Sequence, residues 1–262
     1  MSAISRAFKK ARSEGRCALV VYLTAGYPDF DSSLEYMLAC VKAGVDVLEI
    51  GVPFSDPMAD GPVIQATSDA ALRNGMRPGK VLDLVKELRR STKVPVILMG
   101  YYNPIFQIGE AEFVRRASES GVDGLIVADL SLEESKGLMK QCRKGHIDLI
   151  QLAAPTSGDE RMKELAEATS GYLYLVSRLG TTGQSKDMSD EIELLIKRAK
   201  KAAGETPVAV GFGISSPSHV KKLVEYGADG VIVGSSILKK VAEGDSPEKV
   251  ASFVRGLREA CK

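Results

Sequence analysis

Tryptophan is absent and histidine occurs only twice, at His146 and His219. Two histidines so far apart supply little for a histidine-rich metal site or a Ser-His-Asp machine. The four cysteines, Cys17, Cys40, Cys142 and Cys261, form no C-x-x-C pair. A disulfide or zinc framework is therefore not expected, nor is any metal. No apolar run approaches the roughly 20 residues of a membrane helix. Neither sign of charge prevails: 35 Lys and Arg face 34 Asp and Glu, for a net charge of +1. Nothing in this balance favours nucleic acid or a membrane surface as partner. No signal-peptide pattern opens the sequence, and a reduced, cytoplasmic setting is the expectation.

What is present is an ordinary globular composition. The 262 residues are 44% hydrophobic and 26% charged, which suits one domain over 1–262 with an ample core. Eight short apolar runs recur, at 18–24, 45–52, 94–100, 124–128, 149–153, 172–176, 207–213 and 230–234. Continuous runs of this kind suit parallel strands buried on both faces. Helical stripes lie between them: Leu34, Met37, Leu38 and Val41; Val81, Leu82, Val85 and Leu88; Met162, Leu165 and Ala166. Ile4, Phe8 and Arg12 predict a further helix ahead of the first strand.

Three junctions repeat, AGVDVLEIG (43–51), SGVDGLIVA (120–128) and YGADGVIVG (226–234). Each places a helix-stopping glycine, then aspartate, then a strand. Eight such units predict an α/β fold of the (β/α)8, or TIM-barrel, type. A doubly wound sheet alternates in the same way, but no G-x-G-x-x-G follows the first strand. Strands two and three stand about 40 residues apart, and six and seven about 30, more than a simple βα unit needs. Long loops are expected after both, at 53–62 and 178–190. In a barrel they open on the C-terminal face, where active sites form.

Glycines lead into helix starts after strands seven and eight, at Gly211-Phe212-Gly213-Ile214-Ser215 and Gly234-Ser235-Ser236. Unpaired backbone N–H groups there favour a phosphate, or else the serines simply cap two turns. Glu49 lies inside a strand, where burial would raise its pKa toward acid–base use. It could instead pair with a cation from an outer helix. Asp60 shares the same mouth but, like Asp56, could be a turn residue. Asp129 ends strand four and Tyr174 lies in strand six. No lysine interrupts a strand, which disfavours a Schiff-base aldolase.

The segment LEIGVPFSDPMADGPVIQAT (48–67) resembles the tryptophan synthase α-chain family, whose members are TIM barrels. The resemblance spans the whole length. It includes YLTAGYPD (22–29), LIVADLSLEES (125–135), YLVSRLGTTG (174–183) and VGFGISSPSHV (210–220). It implies retro-aldol cleavage of indole-3-glycerol phosphate to indole and glyceraldehyde 3-phosphate. On that resemblance Glu49 is the acid/base, and Asp60 stabilises charge at the indole N–H. Tyr174, Thr182, Phe212 and Tyr22 would contact substrate, with 99–101 on the pocket wall. Gly183, Gly213, Gly234 and Ser235 would hold phosphate. Pro53, Asp56 and Arg178 would belong to the lids or the partner interface. The implied partner is a β chain, in an α2β2 tetramer. Pyridoxal phosphate is expected only in that partner, and no cofactor in this chain. Two other readings stay open, a stand-alone lyase releasing free indole and an idle phosphate-binding activator. Ser131 stands where the family usually has proline, and Thr181 where valine is common.

Overall fold

A computed structural model describes residues 1–177, 190–211 and 213–262. Eight parallel strands close in sequence order into a barrel. They are β1 (Ala18–Thr24), β2 (Val47–Gly51), β3 (Val96–Gly100), β4 (Gly124–Val127), β5 (Asp148–Ala153), β6 (Leu173–Val176), β7 (Val208–Gly211) and β8 (Gly230–Val233). Several strands are a residue or two shorter than their apolar runs. Val45 and Asp46 precede β2, and Asp46 clamps β1 twice, its amide donating to the Leu19 carbonyl at 2.9 Å and its carboxylate accepting from the Leu19 amide.

That clamp explains the repeated junction. The glycines Gly44, Gly121 and Gly227 all have φ near +90°, which a side chain would resist. Each aspartate two residues later holds the strand beside it. Asp46 accepts from the Leu19 amide at 2.9 Å and from Arg16 at 2.7 Å. Asp123 accepts from the Val96 amide at 2.9 Å and pairs with Arg89. Asp229 accepts from the Val208 amide at 2.8 Å and from Lys200 at 2.6 Å. The motif thus pins neighbouring strands at the N-terminal face.

The first helix, α1 (Ala3–Ser13), closes that face. Its buried stripe is Ile4, Phe8 and Ala11, while Arg12 is exposed; the expected stripe drifts one residue because 3.6 residues make a turn. Side chains at Gly124 and Gly230 would collide with Ile4 and Phe8 respectively. Glycine at those two barrel positions makes the space the plug occupies. Phe8 stacks on Tyr172 at 5.0 Å.

The long β2–β3 connection is more than a loop. After 52–61 come two helices, α2′s successors in chain order: with α2 (Phe30–Lys42) before β2, they are α3 (Pro62–Arg73) and α4 (Pro78–Arg89). A short α5 (Tyr102–Ile108) and α6 (Glu110–Ser120) follow β3. The remaining helices are α7 (Lys136–Lys144), α8 (Asp159–Ala168), α9 (Asp190–Ala203), α10 (Pro217–Glu225), α11 (Ser235–Ala242) and α12 (Pro247–Glu259). Val81, Leu82, Val85 and Leu88 are buried on α4, as are Met162, Leu165 and Ala166 on α8. On α2 the fully buried face is Ser33, Tyr36, Met37 and Cys40; Leu34, Leu38 and Val41 are only partly covered. The expected long connection after β6 falls on residues outside those described.

Because Ile4 is completely buried in the plug, Ile4→Ala should destabilise the fold by roughly 2–5 kcal/mol. Urea unfolding measures it; a change under about 0.5 kcal/mol would show that the plug contributes little.

Candidate active site

The site is built on the C-terminal half of the barrel interior. Strand residues alternate between faces, so Glu49 and Gly51 of β2 share one side. A side chain at Gly51 would collide with the Tyr22 hydroxyl, and one at Gly211 with the Tyr174 hydroxyl. Gly234 likewise leaves room for the Cβ of Tyr22. Two tyrosines therefore lie across glycines of neighbouring strands, and Tyr22 pairs in register with Glu49.

Glu49 is 1% exposed. Among the described residues it has no ion pair, so the outer-helix partner weighed from sequence is not there. Its Oε2 is buried with no hydrogen-bond partner. Burial pushes its carboxyl up to about 8, and the charge of Asp60 pushes the same way. The site thus holds a carboxyl that is largely protonated at neutral pH.

Asp60 reaches this space from the loop after β2. Its amide donates to the Pro57 carbonyl at 3.1 Å, so it is a turn residue as well as a site residue. The Tyr101 hydroxyl donates to Asp60 Oδ2 at 3.0 Å and accepts from the Ala59 amide at 3.1 Å. Burial raises the Asp60 carboxyl, and the Tyr101 hydrogen bond opposes that rise. Phe54 stacks on the Tyr101 ring at 5.2 Å, a second anchor for the loop. Pro53 is buried, whereas Asp56 is exposed beside Ser55. Tyr22 and Tyr174 both lie in the fields of Glu49 and Asp60, and burial raises both phenols. Two carboxyl groups and three tyrosines thus share one site.

The α11 start lies on the same face, after β8. Gly234 is its N-cap and no side chain caps it. Ser236 instead donates to the Ile214 carbonyl at 3.0 Å, while Ser235 is half-buried. The serine-cap reading fails here: among the described residues no group accepts from the Ser235 and Ser236 amides, which leaves them for an anion. At α10 the cap is Ser216, not Ser215. Gly213 is exposed with φ +76°. Asp129 is exposed and accepts from the Tyr102 amide at 2.7 Å, a turn role rather than a proton-carrying one. Arg178, Thr182, Gly183 and Phe212 lie outside the described residues.

Two features were poorly legible in sequence. Tyr101 figured only as pocket wall, yet it grips Asp60. Tyr172 passed as an ordinary strand residue, yet its buried hydroxyl has no partner and lies in the field of Glu49. The Tyr-x-Tyr spacing of 172 and 174 was the available signal. Ser131, where the resemblance led to an expectation of proline, is held in its turn by two hydrogen bonds: its hydroxyl donates to Glu134 at 2.9 Å and its carbonyl accepts from the Ser135 amide.

The family model described as tryptophan synthase alpha chain matches residues 8–261. The chain belongs to the tryptophan synthase alpha chain family. It is 43% identical over 260 residues to the tryptophan synthase alpha chain of Prochlorococcus marinus (strain MIT 9313), covering 98% of this chain and 94% of that one. A solved chain from Aquifex aeolicus VF5 superposes with a TM-score of 0.92 at 39% identity, covering 100% of both. A chain of tryptophan synthase from M. tuberculosis, in an aminoacrylate-bound form, gives 0.90 at 32% identity, again covering 100% of both. Within this alpha chain family fold, Glu49 is the ionisable side chain buried in β2.

Its raised pKa carries a sign. The folded protein holds the Glu49 proton more tightly than the unfolded chain does. The resulting stability is complete below the ordinary pKa of 4.5 and is lost as pH rises through about 8. Glu49→Gln lacks that loss, so wild type should weaken relative to the variant between pH 5 and pH 8. Urea unfolding across that range reads the gap, and a pH-independent gap would contradict the burial effect.

Proposed function

We propose that this chain cleaves indole-3-glycerol phosphate to indole and glyceraldehyde 3-phosphate by a retro-aldol reaction. The observation that carries the reading is the pairing of a buried, largely protonated Glu49 with Asp60, below the uncapped start of α11. The family membership supplies the substrate class.

Indole C3 is a poor leaving group until it is protonated. Glu49 gives its proton to C3, and the ring becomes an indoleninium that can accept the bond electrons. The Glu49 carboxylate so formed then accepts the proton of the glycerol hydroxyl next to the breaking bond. As that C–C bond opens, its electron pair returns to the indole ring and an aldehyde remains. Glu49 ends protonated, as it began. Asp60 faces the N–H of the ring and stabilises the positive charge that grows there; the Tyr101 hydrogen bond favours its charged form. Tyr22 and Tyr174 would wall the indole. The α11 amides, with Gly213, Gly234 and Ser235, would hold the phosphate. Proton transfer and charge stabilisation suffice, so no cofactor is assigned to this chain.

A β chain is the proposed partner and acceptor of indole, with pyridoxal phosphate residing there, in an α2β2 tetramer. Support comes from exposed apolar side chains on the site face. Met58, in the loop after β2, is 93% exposed, and Phe106, on α5, is 62% exposed. Asp56 borders Met58 in the same loop. Such side chains suit a protein interface. Tryptophan biosynthesis in the cytoplasm is the corresponding setting.

Indole release from indole-3-glycerol phosphate tests the reading, with and without a tryptophan synthase β chain. Slow release that rises strongly with β is expected. Release unaffected by β would point to a stand-alone lyase, and none in either case would reject the lyase reading. Glu49→Gln should lower turnover at least about a hundredfold, as loss of an acid/base does; near-normal turnover would remove Glu49 from the mechanism. Ser235→Asp should raise KM at least about tenfold by placing a like charge beside the phosphate. An unchanged KM would move the phosphate elsewhere.

A further inference from the structure

All four cysteines are buried and reduced, but only two of them meet. Cys17 leads into β1, and Cys261 follows α12. The Cys17 amide donates to the Cys261 carbonyl at 2.9 Å, and the Cys261 thiol is close enough to be the main influence on the Cys17 thiol. Cys261 Sγ also donates to the Leu257 carbonyl at 3.4 Å. Strand residues that exchange backbone hydrogen bonds have Cα atoms about 5.5 Å apart, and the backbone contact between Cys17 and Cys261 puts them in a comparable range, within the roughly 4.4–6.8 Å that a disulfide spans. Cys40 and Cys142 differ. Burial alone acts on the Cys40 thiol, and the groups around Cys142 are the carboxylates of Glu110 and Asp148.

Access is unequal. Cys17 forms part of the wall of a cleft of about 980 Å³ at the N-terminal face, together with Phe8, Lys9, Arg12 and Lys200. Cys17 is 4% exposed and Cys261 is fully covered. A small reagent in the cleft would reach Cys17 first, with Cys261 directly behind it.

We propose that Cys17 and Cys261 are a reversible dithiol–disulfide pair, oxidised by a low-molecular-weight disulfide that enters the N-terminal cleft. The Cys17 thiolate attacks one sulfur of the reagent, whose S–S bond breaks and releases one thiol. The Cys261 thiolate then attacks the Cys17 sulfur of the mixed disulfide and releases the second thiol. The two protein thiols lose two electrons and two protons, and the reagent takes up both as two free thiols. The Cys261 thiol, then burial and the nearby Asp46 carboxylate, hold Cys17 in its thiol form, so exchange waits on local opening of the turn after α12. The bridge would tie the first strand to the last helix, between residues far apart in the chain, where a cross-link restricts the unfolded ensemble most. It lies on the face opposite Glu49 and does not depend on the proposed reaction.

The test uses the full chain with oxidised glutathione as the reagent. Free thiols are counted after unfolding, and the cross-link is mapped by digestion and mass spectrometry. The count should fall from four to two, with a Cys17–Cys261 linked peptide, and dithiothreitol should restore four. Cys261→Ser should stop at glutathione bound to Cys17, and Cys17→Ser should keep all three of its thiols. Four thiols remaining in the unaltered chain would overturn the proposal. So would glutathione retained on Cys17, or a bridge to Cys40, to Cys142 or to a second chain.

Discussion

Strand register decides which side chains this barrel turns toward its own axis. The side-chain period of a strand is two, so a slip of one residue would send Glu49 outward and Leu48 inward. A closed barrel cannot absorb such a slip at an edge, because every strand pairs on both sides. The register is fixed at the N-terminal face by Asp46, Asp123 and Asp229. Each holds the backbone amide of a neighbouring strand and an Arg or Lys at once. The clamp charges are paired at the barrel rim, while the Glu49 carboxyl sits inside with no ion pair among the described residues. Both kinds of acid follow from the same repeat: aspartate ends the turn, and Glu49 comes three residues after Asp46 on the strand the clamp begins.

The unpaired carboxyl is costly only when charged. Around Glu49 the barrel offers phenols and aliphatic side chains, and no cation among the described residues. Water is what the site removes, and removal of water raises the carboxyl pKa. Asp60 experiences the same removal, but it is half-buried and receives a hydrogen bond from Tyr101. The two carboxyl groups thus differ in surroundings: burial raises both, and Asp60 receives a hydrogen bond that opposes the rise. In the proposed reaction Glu49 would give a proton and Asp60 would oppose a positive charge. The tyrosines separate these roles sterically. Tyr22 and Tyr174 each lie over a glycine of an adjacent strand, so that part of the pocket wall is set by backbone positions rather than by side chains that could relax.

The barrel was legible because its signals were repeated and local. Eight apolar runs and three near-identical junctions each recorded one βα unit. The extra helices α3 and α5 were not legible as such. Their residues face a shallow layer with a mixed apolar pattern, and a spacing of about 40 residues fits a long loop as well as a loop plus a helix. At the site, Glu49 was legible because a charge within an apolar run is conspicuous. Asp60 stood out only through the resemblance of 48–67, since Asp-Gly is ordinary turn chemistry. The grip of Tyr101 on Asp60 was hidden by distance in sequence: 41 positions separate them, and only the closure of β2 against β3 brings them together. The pairing of Cys17 with Cys261 was hidden for the same reason, and more completely, because no spacing rule links residues near opposite ends of a sequence.

The two ends of the barrel divide the work. At the N-terminal end, Ile4 and Phe8 fill the space left by Gly124 and Gly230, and the three clamp aspartates are each paired with an Arg or Lys, with Oδ2 of Asp148 the buried carboxylate atom left without a partner among the described residues. At the C-terminal end, Oε2 of Glu49 has no partner and the start of α11 has no cap, so polar groups are left for something else to satisfy. Unsatisfied groups destabilise a fold, and a closed, well-packed opposite end is what lets this one tolerate them. A ligand that brought a phosphate to α11 and a proton acceptor to Glu49 would relieve both at once. The polar groups therefore suit a ligand with an anion at the α11 start and an atom ready to exchange a proton at Glu49.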